Sequence, residues 1–287
     1  MLLNLAYSPC PNDTYTYYGI YSGKVFLKDD QIKVHHHDIE TLNQYAFEER
    51  YEITKMSFYT WLKLKNKYRL LKAGNALGFG CGPIIISAKK NIKPEDLLNL
   101  RIALPGELTT ANLLFSLYSP QSQNKIFTRY DDIFSAIKSG RADCGVVIHE
   151  SRFLFEKEGL YKVCDLGEWW EEKTGAPIPL GAVGIRSDLP QELDLLVENA
   201  IRESLEFSKN DISLAIPYIR EKAIELDDNI INQHIKTFVN EFTYDLGEIG
   251  MDAVRKLEEM GAPQPPKGGE GDVSGGAVLK SPLGALA

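Results

Sequence analysis

The sequence predicts an α/β protein built as two lobes around a cleft. Two observations carry this. Strand-like and helix-like runs alternate along most of the chain. The alternation comes as two units, one opening at Leu2 and one at Arg101, with predicted crossings near 88–99 and 179–185. Two crossings make the first lobe discontinuous, residues 1–88 with 186–262, and leave 89–185 as the second. A ligand then belongs between the lobes, where closure can expel water.

Each element follows from local pattern. Leu2–Ala6 is a short apolar run and reads as a buried strand. Ser8-Pro-Cys-Pro-Asn-Asp-Thr14 follows, with two prolines stiffening the turn and Asn12 or Asp13 placed to cap the aromatic helix 15–21. Polar groups at the carboxyl end of a first strand sit where open α/β sheets bind ligands. Residues 31–37 alternate as a half-exposed strand, 41–47 form a short helix, 51–55 a strand, and Ser57 opens a helix to Leu64. The β-branched run Ile84-Ile85-Ile86 marks a buried strand, and Pro94-Glu95-Asp96 starts a short helix.

In the second unit, 101–104 is a strand and 110–117 a helix. Ile133, Phe134, Ala136 and Ile137 share a helical face that Gly140 ends, and 144–148 is the next buried strand. After a strand over 180–185 come helices with stripes Leu196, Val197, Ala200, Ile201, Leu205 and Ile231, Ile235, Phe238, Val239, Phe242. These are expected to pack back on the first lobe. The Gly- and Pro-rich segment 263–287 reads as a flexible tail.

Composition narrows the function. The chain has 287 residues, 44% hydrophobic and 25% charged, as in a globular protein. A net charge of -8 disfavours nucleic acid and anionic membrane as partners, and no run approaches the ~20 apolar residues of a membrane span. No export signal is visible, so the cytoplasm is the expected compartment. The four cysteines, Cys10, Cys81, Cys144 and Cys164, have no metal or disulfide spacing. Oligomeric state is left open.

Candidate chemistry gathers at strand ends. Thr109 and Thr110 begin a helix after a strand and Gly106, which reads either as an anion site or as a plain cap. Lys55-Met56-Ser57 repeats that arrangement in the first unit, with the same two readings. His149 ends a strand, where an imidazole can serve as proton acceptor or as a structural residue. His35-His36-His37 reads as a half-exposed strand rather than a metal site, since two histidines on one face do not close a zinc shell. Gly78–Pro83 lacks the P-loop lysine and reads as a hinge or tight strand entry. Cys10 has no basic neighbour in sequence, and Trp169-Trp170 reads as core or cleft wall.

Together these residues resemble the 1,4-dihydroxy-6-naphthoate synthase family of the futalosine route to menaquinone. The resemblance rests on Ser8–Thr14, Asp38-Ile-Glu-Thr-Leu-Asn43, Thr54-Lys-Met-Ser57, Thr109-Thr-Ala111 and Gly140-Arg-Ala-Asp-Cys-Gly-Val-Val-Ile-His-Glu150. It continues through Trp169-Trp170, Thr174-Gly175 and Pro179-Leu-Gly181, and reaches about Gly261. It implies a type II periplasmic-binding-protein fold used as a carbon–carbon lyase. The implied substrate is cyclic dehypoxanthinylfutalosine, a carboxylated bicycle; the implied product is 1,4-dihydroxy-6-naphthoate, with loss of a three-carbon sugar fragment. By resemblance His149 is the proton acceptor, and Lys55, Met56, Ser57, Thr109, Thr110, Asn12 and Asn43 are substrate-binding candidates. No metal or redox cofactor is implied, because no electrons leave overall. The alternatives are the sibling chorismate dehydratase and a non-catalytic solute-binding protein of the same fold.

Overall fold

The computed structural model describes residues 2–27, 31–224 and 227–261. The tail predicted for 263–287 lies outside the described residues. Two sheets carry the architecture. The first contains β1 (Leu2–Tyr7), β2 (Gln31–His36), β3 (Ile53–Ser57), β4 (Tyr68–Leu70) and β5 (Ala76–Gly78). The second contains β6 (Ile84–Ser87), β7 (Ile102–Leu104), β8 (Lys125–Phe127), β9 (Cys144–Val147) and β10 (Tyr161–Asp165). A long strand, β11 (Ile178–Arg186), then returns to the first sheet.

The strand order is β2-β1-β3-β11-β4, with β5 also on β11, and in the second sheet β10-β6-β9-β7-β8. β1 is parallel to both β2 and β3, and β7 is parallel to both β8 and β9. In each sheet the chain therefore steps to one side of its first parallel strand and then to the other. That reversal opens a crevice at the strands' carboxyl ends, where backbone N–H groups and loop side chains are left unpaired by the ladder.

Sheet membership moves the crossings from their sequence-based positions. β6 pairs with β9 and β10, so the chain leaves the first sheet between Gly78 and Ile84, earlier than the predicted 88–99. It returns between Thr174 and Ile178, before the predicted 179–185. The misplacement has a simple cause. Ile84-Ile85-Ile86 is apolar on both faces, and such a run does not say which sheet buries it. The Gly78–Pro83 segment, read as a hinge or strand entry, is the outward crossing itself. A Cβ on Gly82 would collide with the Gly167 backbone, so only glycine lets the outward crossing pass this close to the chain just after β10.

Helices α1 (Pro11–Tyr21), α2 (Ile39–Phe47) and α3 (Phe58–Lys63) accompany the first sheet. Helices α4 (Thr110–Tyr118), α5 (Ile133–Lys138) and α6 (Leu166–Thr174) accompany the second. Then come α7 (Glu192–Asn210), α8 (Ile212–Lys222), α9 (Asp228–Phe238), α10 (Glu241–Tyr244) and α11 (Gly247–Gly261). As expected, α7, α8 and α9 pack on α1 of the first lobe. α11 instead spans β11 and α4, because Ala253, Val254 and Leu257 share a core with Leu113 and Phe115. That core also holds Met56, Phe58 and Trp61, so the two sheets are joined by apolar packing as well as by chain crossings.

The short strands β4, β5, β8 and β10 and helix α6 were not legible in the sequence. β4, β8 and β10 each place a charged residue in a run of three to five, which leaves no continuous apolar run to register. The expected caps also differ in part. α1 begins at Pro11, so Asn12 and Asp13 lie inside its first turn rather than at its cap. Ser57 stands at the N-cap position of α3 but makes no capping bond. Thr109 does cap α4, its side chain accepting from Asn112 N at 3.2 Å.

Candidate active site

The carboxyl ends of β1, β3, β7 and β9 converge on one cavity of about 640 Å³, counting its mouth. Its apolar walls include Ile39, Ala76, Pro83, Ala111, Ile148, Leu180 and Phe238. Ser8, Asp13, Lys55, Ser57, Thr109, Thr110, His149 and Arg152 supply the polar lining. Among the predicted residues, the cavity thus gathers Lys55, Ser57, Thr109, Thr110 and His149.

The other three predicted residues sit behind it. The Met56 side chain is fully buried in the core that joins the two sheets, because alternation along β3 turns it away from Lys55 and Ser57. Asn43 braces Ser57, accepting from its N–H at 2.8 Å and donating to its Oγ at 3.0 Å. Asn12 donates to Asp13 Oδ1 at 2.9 Å, which leaves its Oδ1 to accept from His234 Nε2 at 2.9 Å. These three shape the lining without being part of it.

Lys55 and Asp13 form a buried ion pair at 2.9 Å, with side chains 4% and 3% exposed. The ammonium also donates to Gly74 O at 2.7 Å, and Asp13 Oδ2 accepts from Ser8 Oγ at 2.7 Å. Asp13 stands in the cavity floor because the Pro-Cys-Pro turn carries the chain straight from β1 into α1. The pair's charges cancel locally, and its hydrogen bonds offset the cost of removing both ions from water.

The threonines are equally engaged. Thr109 Oγ1 donates to Gly106 O at 2.8 Å, and Thr110 Oγ1 donates to Leu180 O at 2.8 Å. Thr109 caps α4, while the Thr110 hydroxyl ties α4 to Leu180 and also accepts from Tyr59 N at 3.3 Å. In the first turn of α4 the N–H groups of Asn112 and Leu113 are held by Thr109, which leaves those of Thr110 and Ala111 to offer a ligand. Nearby, Leu108 N donates to the Glu40 carboxylate at 3.3 Å to each oxygen, and Thr60 Oγ1 donates to Leu108 O at 2.9 Å. A side chain on Gly106 would collide with Glu40, so glycine is required for this contact between α2 and the loop after β7. Burial pushes the Glu40 carboxyl up from its ordinary value.

His149 follows β9 on a 3-10 turn, His149–Phe153, with φ of +54°. A non-glycine residue in the left-handed region is held there only by its surroundings, and such strain gathers at functional sites. The imidazole packs against Tyr130 edge-on at 5.0 Å and lies parallel to the His234 ring at 6.0 Å. Its Nε2 is buried and makes no hydrogen bond. Burial, aided by the Lys55 charge and opposed by Asp13, lowers its pKa to about 4. The ring is therefore neutral near pH 7 and able to accept a proton.

Other expectations find their places. Each ring of the His35-His36-His37 run is bonded separately, to Asn4, Tyr218 and Tyr51. Trp170 is fully buried with its Nε1 donating to Pro177 O at 3.1 Å, so it is core rather than a ligand platform. Cys10, His149 and Glu150 bring donor atoms within 4.8 Å of one another, the one such group among the described residues. Burial raises the Cys10 thiol well above its ordinary pKa, opposing the thiolate a metal needs.

Arg152 is the cavity residue that sequence reasoning missed. It lies three residues beyond His149, and a 3-10 turn places positions three apart on one face. Nothing in composition or spacing announces a 3-10 turn there; the nearest signal was the cationic side chain itself, just past the matched segment.

A cleft at paired switch points of two α/β sheets defines a bilobed binding-protein fold. The periplasmic aliphatic sulphonate binding protein SsuA of Escherichia coli shares it, with a TM-score of 0.64, 10% identity, and coverage of 99% of this chain and 97% of that one. The crystal structure of protein AF1704 from Archaeoglobus fulgidus is more similar, with a TM-score of 0.85, 34% identity, and coverage of 90% and 96%. The family described as menaquinone biosynthesis matches residues 3–263. Two curated relatives are named 1,4-dihydroxy-6-naphthoate synthase. That of Thermus thermophilus is 40% identical over 89% of this chain and 92% of its own. That of Streptomyces coelicolor is 37% identical over 89% and 91%. The chain belongs to this family of menaquinone-biosynthesis enzymes.

Proposed function

We propose that the chain converts cyclic dehypoxanthinylfutalosine to 1,4-dihydroxy-6-naphthoate, releasing a three-carbon sugar fragment, with His149 as proton acceptor. One observation carries the reading. A neutral imidazole on the lining of a largely apolar cavity is buried with its Nε2 unpartnered. A resting structural histidine normally has its ring nitrogens bonded. A base needs one free.

The conversion asks three things of the site: hold the bicycle still, take a proton, and meet developing oxygen charge as the carbon–carbon bond breaks. Ile148, Leu180 and Phe238 flank a flat ring system. Positioning against a fixed base supplies much of the rate. The free N–H groups of Thr110 and Ala111 and the Ser57 hydroxyl, all from lining residues, suit the oxygens of the sugar-derived ring. Lys55 contributes through the field of its ion pair with Asp13. Aromatisation of the product makes the cleavage favourable.

On this reading the two sheets mark two lobes, one built on β1–β5 with β11 and one on β6–β10, that grip the substrate between them. The cytoplasm suits an enzyme of quinone biosynthesis, and among the described residues no helix is long and apolar enough to cross a membrane. A solute-binding role is supported only by fold likeness at low identity, and it has no use for a free imidazole.

The test is incubation of the protein with cyclic dehypoxanthinylfutalosine, following naphthoate absorbance and the released sugar. Absence of both products sinks the assignment. His149→Asn, which preserves size and polarity, should abolish turnover while substrate binding remains measurable; normal kcat would remove His149 from the proton-transfer step.

A further inference from the structure

We infer that Arg152 seats the carboxylate of the substrate, so that anchor and base stand one 3-10 turn apart on the same face of the segment after β9. The inference rests on the reading of the cavity as a site for a carboxylated bicycle, and it names the group that recognises the acid.

Four observations carry it. First, Arg152 lines the cavity together with His149. Second, its side chain is only 9% exposed, an unusual place for a permanent cation without a strong partner. Third, its Nη1 is buried and makes no hydrogen bond. Its ion pair with Asp165 is a long one, Nη2 to Oδ2 at 3.5 Å. Fourth, Asp165 is committed elsewhere, its Oδ1 accepting from Gly167 N at 2.8 Å and Glu168 N at 3.2 Å as the cap of α6. The guanidinium of this lining residue thus keeps Nη1 without an acceptor, and its fork geometry matches a carboxylate.

The other cation of the cavity does not compete for this role. Lys55 Nζ already spends donors on Asp13 at 2.9 Å and Gly74 O at 2.7 Å. The threonine hydroxyls donate inward to Gly106 and Leu180. That leaves the α4 N–H groups for neutral or partly charged oxygens, and Arg152 for the full charge. A carboxylate held by Arg152 also places a negative charge beside the His149 turn. It would raise the basicity of that imidazole once substrate is bound.

The test uses 2-naphthoate and its uncharged counterpart 2-naphthamide as probes, titrated calorimetrically into the full-length protein. Wild type should prefer the acid by roughly 10- to 100-fold, the range of charge-assisted hydrogen bonds to a buried partner. Arg152→Met should bind both probes alike. Asp165→Asn keeps an α6 cap but removes the competing charge, so it should hold 2-naphthoate as tightly as wild type or more so. Where Arg152→Met fails to fold, Arg152→Lys replaces it and should lose several-fold in acid preference. Retention of the full preference in a folded Arg152 variant overturns the inference. So does a wild type without preference, or an Asp165→Asn that loses the acid selectively. His149→Asn should keep the preference. If that variant also kept turnover, the proton-acceptor role would fall while the anchor stood.

Discussion

The loops that follow β1 and β9 end at the same cavity but are built on opposite principles. After β1, Ser8, Asn12 and Asp13 are buried and mutually bonded, and Asp13 holds Lys55. After β9, His149 adopts a strained backbone, and His149 Nε2 and Arg152 Nη1 are buried without hydrogen bonds. The first loop is a floor, its polar groups satisfied by the fold. On the proposed function the second is a working edge, whose unsatisfied groups a ligand would complete. Buried polar groups are almost always paired, so the pairs left open mark where the protein expects chemistry.

The contrast can be broken by mutation, and the largest effect belongs to the working edge. His149→Asn should lower kcat about 10²- to 10⁴-fold, the usual share of a positioned base, with little change in melting temperature. Steady-state kinetics beside thermal melting checks it; a drop in stability without a drop in kcat would reverse the roles of the two loops. On the floor the opposite pattern is expected. Asp13→Ala leaves Lys55 buried without its partner and should cost about 3–5 kcal/mol of stability. Denaturant titration reads this directly, and a cost below about 1 kcal/mol would mean that the pair is not buried in solution.

Acid should sharpen the difference next. Burial lowers the pKa of His149 and His36 to about 4 from 6.5, and lowers that of His234 well below its ordinary value. Between pH 6.5 and 4 the unfolded chain binds more protons than the folded one. Stability should therefore hold above pH 6.5 and fall as pH drops through that window, with a loss in melting temperature on the order of several degrees. The acid limb of kcat/KM, which reports the free enzyme, should lie well below 6.5. The limb of kcat should lie higher, since a bound carboxylate favours the protonated imidazole. A kcat/KM limb at 6.5 would place His149 in water.

The smallest expected effect is at the α4 cap. Thr109→Ala removes the bond to Asn112 N and should cost about 1 kcal/mol, with KM changing little because the hydroxyl points inward. A tenfold rise in KM with unchanged stability would instead give that hydroxyl to the substrate.

How much was legible follows from the range of each signal. β1, β7 and β9 were readable because each is a short, mostly apolar run bounded by turn residues. His149 was readable because a strand and a matched motif both led to it. Met56 was misread as a lining residue since the motif Lys55-Met56-Ser57 is contiguous, whereas alternation along a strand sends the middle side chain to the opposite face. The lobe boundary was misread at Ile84–Ser87 because a run buried on both faces carries no label for its sheet.

From composition, periodicity and motifs alone came the α/β class, the two-unit plan, the strand ends that bear chemistry and the family resemblance. These are local or near-local properties, set by side-chain period and turn chemistry. The Asp13–Lys55 pair, the Glu40 contact with the loop after β7, the His234 ring behind His149 and the open donors of Arg152 were settled only by the packed chain. Each joins residues far apart in sequence, or depends on whether a polar atom finds a partner once water is gone, and burial exists only after the whole chain has folded.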